Sequence, residues 1–306
     1  MLKSLPVTLK GIVVCVGMGL NTLWWVPLLM LAALCKLVLP LAFWRRWLTK
    51  VLITIAELWM GGNNLLQRLT QKTLWQVDGL EGLSYEGWYF VTSNHQSWTD
   101  ILVLQRIFNR RIPMLKFFLK QELIWVPFMG MAWWALDFPF MRRFSREYLA
   151  AHPEMAGKDL EATRKACEKF RHVPVSVVNF MEGTRFTPGK HDAQSSPYRH
   201  LLKPRAGGSS FVLSAMGEQM HSLLDVTIYY PGQQHSFWDF VSGQVEQIVV
   251  HVEQKPLPAE LIMGDYESDP VFRERFQTWV NQLWHDKDAL LDRLSSGWRP
   301  QHSRPT

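Results

Sequence analysis

The chain has 306 residues, 47% of them apolar, and a net charge of +6 from 33 basic and 27 acidic side chains. That length accommodates one sizeable α/β domain plus an appendage. The modest basic excess suits anionic partners such as phospholipid headgroups, and no Lys/Arg block is long enough to favour nucleic acid.

Taken in chain order, the first feature is apolar: residues 11–35 contain no charged side chain. As a helix, that run would span about 37 Å at about 1.5 Å per residue, against a hydrocarbon core of roughly 30 Å. It is too long for the apolar region of a signal peptide, so it reads as retained. Asn21 and Pro27 interrupt it, which leaves one transmembrane helix or a shallow two-helix hairpin open. A second apolar stretch, 37–43, leads into Trp44, Arg45, Arg46, Trp47 and Lys50, a basic aromatic cluster of the kind found at membrane interfaces. Fifteen tryptophans fit the same setting. Residues 1–62 are therefore expected to form a membrane anchor, with Gly61-Gly62-Asn63-Asn64 as the break after it. Lys36, Arg45, Arg46 and Lys50 after the anchor outnumber Lys3 and Lys10 before it, which predicts a domain facing the cytoplasm.

Residues 63–260 then alternate. Strands are predicted at 88–92, 138–141, 175–181, 224–230 and 245–252, and helices at 101–108, at 158–170 and from 208 to 216. That alternation predicts an α/β fold, a mixed β-sheet flanked by helices. The tail, 261–306, opens a helix at Asp269-Pro270 and carries Phe272, Phe276, Trp279, Leu283 and Trp284 at helical spacing. That stripe reads as packing on the domain. Cys15, Cys35 and Cys167 show no paired spacing, which argues against a disulfide framework or a zinc site.

Three polar segments carry possible chemistry. On one straight helix His95 and Asp100 would point about 140° apart and never meet. They meet if a strand ends near Thr92 and a helix begins near Ser97, which leaves His95 on the intervening loop. Asp100 would then fix one imidazole nitrogen and leave the other as a base. The plainer reading is a capping box, since Ser97 and Asp100 fit [ST]-x-x-[DE]. Next, Glu182-Gly183-Thr184-Arg185 follows an apolar strand. Its glycine permits close approach to a ligand, its arginine suits two phosphate oxygens, and its glutamate can orient that fork; a polar turn is the plainer reading. Third, Lys203, Arg205, Gly207 and Gly208 precede a helix, as an anion site or an ordinary helix entry. Arg142 and Arg143 close the 138–141 strand.

In these residues the sequence resembles the glycerolipid (lysophospholipid) acyltransferase superfamily, especially the lysophosphatidic acid acyltransferases. His95 and Asp100 match its H-x-x-x-x-D motif, and Phe180 to Arg185 its F-P-E-G-T-R motif with Met181 in place of proline. Residues 140–143 are similar to a further motif that ends in arginine, here Arg143, and V-T-I-Y-Y-P at 226–231 to one that ends in proline. The motifs fall in the family's order over about residues 75–235. The resemblance implies a serine-free O-acyltransferase with no cofactor and no metal. His95, held by Asp100, would take a proton from the hydroxyl of a lysophospholipid, most simply lysophosphatidic acid. The acyl group would come from acyl-CoA or an acyl carrier protein. Glu182, Gly183, Thr184 and Arg185 would hold the acceptor phosphate, with Arg143 assisting. Two alternatives compete: a lipid hydrolase with Ser93 or Ser97 as nucleophile, although no G-x-S-x-G elbow is present, and a non-enzymatic module that binds anionic lipid.

Overall fold

The computed structural model describes residues 2–38, 41–141, 173–217, 219–220, 222–232, 235–262, 264–266, 268–297 and 304–305. Arg142, Arg143, Cys167 and the helix expected at 158–170 lie outside the described residues.

The apolar N-terminus forms α1, Val7–Val38, a single helix that continues through Asn21 and Pro27. Proline removes one backbone donor from the helix interior. After a short break the chain reverses into α2, Ala42–Thr70. The expected break at residues 61–64 is absent, and α2 runs straight through it. The reason is packing. A Cβ on Gly62 would sit 2.7 Å from Asn21 Oδ1, and one on Gly17 would sit 2.6 Å from the Leu66 side chain. Asn21 Nδ2 donates to Trp59 O and to Asn63 Oδ1, each at 2.9 Å. Here glycine and asparagine bring two antiparallel helices into close approach. They do not end one.

Both ends of α1 are tied to the rest of the chain. Near its start, a Cβ on Gly11 would strike the Trp238 ring at 2.6 Å. Near its end, Lys36 Nζ pairs with Asp137 Oδ2 at 2.5 Å. The opposite side is an exposed apolar stripe at Leu9, Ile12, Val16, Leu20, Leu23, Leu31 and Leu34, which is helical spacing.

The remaining strands are β1 (Leu74–Asp78), β2 (Tyr89–Ser93), β3 (Leu115–Phe117), β4 (Leu119–Lys120), β5 (Phe140–Met141), β6 (Ser176–Asn179), β7 (Ser222–Tyr229), β8 (Gln247–Pro256) and β9 (Arg304–Pro305). Seven form one sheet in the order β3-β6-β2-β7-β8-β1-β9, and β4 and β5 pair separately. β3, β6, β2 and β7 are mutually parallel, whereas β8 runs antiparallel to β7, so the sheet is mixed as expected. The five-residue strand β1 was not expected from the sequence.

One face of the sheet packs on α3 (Thr99–Phe108) through Val103, Leu104, Ile107 and Phe108, in a core shared with α1 and α2. The other face packs on α6 (Ala206–Met216) and α8 (Pro270–Ser295). Between them α5 spans Pro188–Gln194 and α7 spans Phe237–Val241. Asp269 caps α8 by accepting from Val271 N and Phe272 N. Phe272, Phe276, Leu283 and Trp284 are buried against the domain, the packing role expected of the tail.

α8 also carries a fully buried cation. Lys287 Nζ donates to Asp225 Oδ1 at 2.6 Å, Val226 O at 2.6 Å and Thr227 Oγ1 at 3.3 Å on β7. Burial pulls its pKa down, and Asp225 opposes that pull.

Candidate active site

The functional segments meet because their strands are parallel neighbours. β2 lies between β6 and β7, so the loops leaving the C-terminal ends of β2 and β6 emerge side by side. Open α/β sheets place ligands at that edge.

β2 ends at Ser93, and Asn94 pins the loop. Its Nδ2 donates to Ile228 O at 2.9 Å, and its Oδ1 accepts from Ile228 N at 2.8 Å. His95 follows, and α3 starts at Thr99. This is the turn that residues 92–97 predicted. It brings His95 Nδ1 to 2.8 Å from Asp100 Oδ2. That oxygen also accepts from the backbone N–H groups of Gln96 at 2.6 Å and Ser97 at 2.8 Å. The geometry of the His95–Asp100 pairing is realised, whereas the capping box is only half formed: Ser97 N donates to Asp100, but Asp100 N bonds the Ser97 carbonyl rather than its hydroxyl, and Trp98 stands at the helix N-cap without a side-chain cap bond. Asp100 ties down the backbone at the helix entry, and in doing so becomes rigid enough to orient the imidazole.

The other oxygen, Asp100 Oδ1, accepts from Tyr230 Oη at 2.7 Å. Sequence reasoning missed this residue. Tyr230 stands at the end of β7, and burial together with the Asp100 charge drives its pKa well up, so it remains a donor. Asp100 is fully buried, while the His95 side chain keeps 13% exposure. The His95 ring stacks on Phe180 at 4.1 Å, and Phe180 stacks in turn on Phe117 at 6.0 Å. With Nδ1 engaged, Nε2 has no partner among the described residues and is the nitrogen left for a ligand.

After β6, Gly183 turns the chain with φ +68°, and its N–H donates to Phe180 O at 2.9 Å. Glycine tolerates that conformation without strain. Phe186 N donates to His95 O at 2.7 Å and joins the two loops. Gly183 and Arg185 are exposed on this surface. The Arg185 guanidinium lies over the Trp98 ring at 4.9 Å. Thr184 Oγ1 accepts from Lys190 Nζ at 2.7 Å, which adds a cation that the sequence gave no reason to select.

Glu182 does not orient Arg185 as expected. Its side chain turns inward and is 1% exposed, and neither Oε closes a hydrogen bond of ordinary geometry among the described residues. Burial raises its pKa well above the carboxylate range. The His95 backbone N–H opposes the rise in part, and Asp100 adds to it. Glu182 therefore presents no oxygen on this surface; Gly183 and Arg185 form the exposed part of the segment.

The third segment is brought to the site only in part. Arg205 N donates to Met181 O at 2.7 Å, and a Cβ on Gly183 would lie 3.3 Å from Arg205 Cδ, so Arg205 stands beside the β6 turn. Gly208 neighbours Asn179 at the end of β6. The Lys203 backbone instead bonds Gln194 on α5, and Gly207 faces Tyr266.

Among the described residues no serine hydroxyl bonds the imidazole. Ser93 Oγ donates to Asn94 O at 3.0 Å, and Ser97 Oγ donates to Thr99 Oγ1 at 3.1 Å. The two hydroxyls that the hydrolase alternative names, Ser93 and Ser97, are thus both engaged away from His95.

The model of the Acyltransferase family matches residues 75–230, just over half of the chain and the whole of this site. The protein belongs to the acyltransferase family. Curated relatives are distant. The chain is similar to a 2-acyl-1-lysophosphatidylinositol acyltransferase of Saccharomyces cerevisiae, 24% identical over 66% of this chain and 60% of that protein. It is also similar to the human 1-acyl-sn-glycerol-3-phosphate acyltransferase gamma, 24% identical over 56% of this chain and 44% of that protein. The matches thus span about 60% or less of these relatives' lengths. A crystal structure of the 1-acyl-sn-glycerophosphate (LPA) acyltransferase from Thermotoga maritima superposes with a TM-score of 0.52 at 15% identity. That superposition covers 92% of this chain and 97% of the other, and it shows a shared acyltransferase fold.

Proposed function

We propose that this acyltransferase moves a fatty acyl chain from a thioester, acyl-CoA or acyl carrier protein, onto the free hydroxyl of a lysophospholipid, with lysophosphatidic acid as acceptor. The observation that carries the reading is the His95–Asp100 pair, with Asp100 buried and fixed by three other donors and Nε2 left for a ligand. In this mechanism Nε2 takes the acceptor's hydroxyl proton as that oxygen attacks the thioester carbonyl carbon. A C–O bond forms, the C–S bond breaks, and the departing thiolate recovers the proton from the imidazolium. The products are the ester and a free thiol. Asp100 supports the transient positive charge on the imidazole.

The relatives' names support the acceptor class, since lysophosphatidylinositol and acylglycerol phosphate are both phosphate-bearing lysolipids. Arg185, with Arg205 nearby, provides guanidinium groups suited to that phosphate. Membrane attachment rests on α1, the described helix long and apolar enough to cross a bilayer. Because both ends of α1 contact the domain, we read it as lying along one leaflet with its exposed leucine stripe in the lipid. The test is an acceptor screen with purified full-length protein, labelled acyl-CoA and a panel of lysophospholipids, read by mass spectrometry. Acylation of lysophosphatidic acid supports the proposal. Acylation confined to phosphate-free acceptors, or release of free fatty acid without transfer, contradicts it.

A further inference from the structure

The segment after β3 exposes large apolar side chains that a water-facing surface does not need. Trp125 is 85% exposed, and Phe128, Met131 and Trp134 are each more than 40% exposed. A tryptophan so exposed, next to further exposed aromatics, marks an interaction surface.

This loop is built firmly. A five-residue 3-10 helix, Gln121–Trp125, leads into α4, Met129–Ala135. Val126 N donates to Leu123 O at 3.1 Å, and Gly130 N donates to Val126 O at 2.8 Å. Gly130 packs so tightly that a Cβ there would fall 2.0 Å from Ile124 O. Phe128 is held at φ +61°, a conformation that a bulky side chain rarely adopts. On the inner side, Ala132 and Ala135 are buried. The aromatic side chains are therefore presented outward from a fixed scaffold.

The position of the loop indicates what covers it. α4 packs directly against α1. The Lys36–Asp137 pair fastens the end of α1 to the residues just after α4. The exposed side of α4 thus adjoins the apolar end of the hairpin, where Leu34, Leu37, Phe43 and Trp47 are also exposed. Trp44 and Trp47 stack there at 5.4 Å beside Arg45 and Arg46, and both residue types favour a lipid interface.

We infer that the loop from Trp125 to Trp134 is a second membrane-inserting element, which enters the same leaflet as the exposed stripe of α1. The inference rests on the membrane-attached reading above and extends it. The loop follows β3 and β4 in the chain, and β3 carries Phe117 of the aromatic stack that ends on His95, so the same stretch of chain links the loop to the base.

The test uses full-length protein with Cys15, Cys35 and Cys167 changed to serine and one new cysteine carrying an environment-sensitive fluorophore. Labels go at Trp125→Cys, at Leu20→Cys on the α1 stripe, and at Gln282→Cys on exposed α8. Each protein meets phosphatidylethanolamine/phosphatidylglycerol vesicles containing a spin-labelled, quenching lipid. The expected result is a blue shift and at least twofold quenching at positions 125 and 20, and neither at 282. Insertion at 20 with a water-exposed label at 125 overturns this inference alone. Water-exposed labels at both 125 and 20 overturn the membrane reading on which it rests.

Discussion

Replacing Asp100 by asparagine isolates the charge of the His95–Asp100 pair. The substitution preserves shape, and an amide oxygen in the place of Oδ2 still accepts from His95 Nδ1, Gln96 N and Ser97 N. The amide nitrogen then faces Tyr230, whose hydroxyl rotates from donating to accepting. Folding therefore survives, at a cost of about 1–3 kcal/mol for the lost charge-assisted bonds. What disappears is the carboxylate that faces the imidazolium formed during proton transfer. Unit charges about 4 Å apart attract by about 4 kcal/mol at an effective dielectric constant of about 20. At about 1.4 kcal/mol per factor of ten, that sets a ceiling near 10³-fold on the loss of kcat. The retained amide hydrogen bond returns part of it, so the expected loss is roughly 10²–10³-fold. The assay is steady-state acyl transfer to lysophosphatidic acid, with circular dichroism and a melting curve as controls on folding. A folded Asp100→Asn protein with kcat within threefold of wild type would refute the electrostatic role and leave Asp100 as a backbone tie.

Three further substitutions probe the neighbours. Tyr230→Phe removes one of the four bonds to Asp100, so kcat should fall about tenfold at unchanged acceptor KM, in line with one charge-assisted hydrogen bond; an unchanged kcat would make Tyr230 a packing residue. Arg185→Lys keeps the charge and loses the bidentate fork, so saturation curves should show a higher KM for the phosphate acceptor and little change for the donor; a defect confined to the donor would move Arg185 to the donor's own phosphates. Glu182→Gln tests the buried carboxyl through stability. Its folded pKa is raised above the unfolded value of 4.5, so its contribution is fully present below pH 4.5 and is lost as pH rises through the folded pKa. Denaturation of both proteins at pH 5 and pH 8 should show the Gln variant gaining on wild type at the higher pH; a constant difference would mean that the carboxyl titrates normally.

Much of this site was legible because its logic is local. The apolar strand before His95 and the Ser-Trp-Thr-Asp sequence after it together predict a turn, and that turn is what brings His95 to Asp100. What was not legible depends on partners distant in sequence. Tyr230 lies 130 residues from Asp100, and nothing in V-T-I-Y-Y-P says which tyrosine turns inward. The pairing of Lys287 with Asp225 is hidden in the same way, because an isolated lysine on an amphipathic helix ordinarily faces water. Glu182 beside Gly183 resembled a ligand-facing turn; the direction of a side chain at the end of a strand is set by register, which a single motif does not contain. Gly61-Gly62-Asn63-Asn64 misled because glycine and asparagine serve loops and helix contacts alike, and only the opposing Asn21 decides between them.

The measurement that tests the account most directly is single-turnover acyl transfer by purified wild type and His95→Ala, with labelled acyl-CoA and lysophosphatidic acid. Wild type is expected to form phosphatidic acid, and folded His95→Ala to form it roughly 10²–10⁴-fold more slowly, as befits loss of a positioned base. Transfer by folded His95→Ala at the wild-type rate would contradict the account.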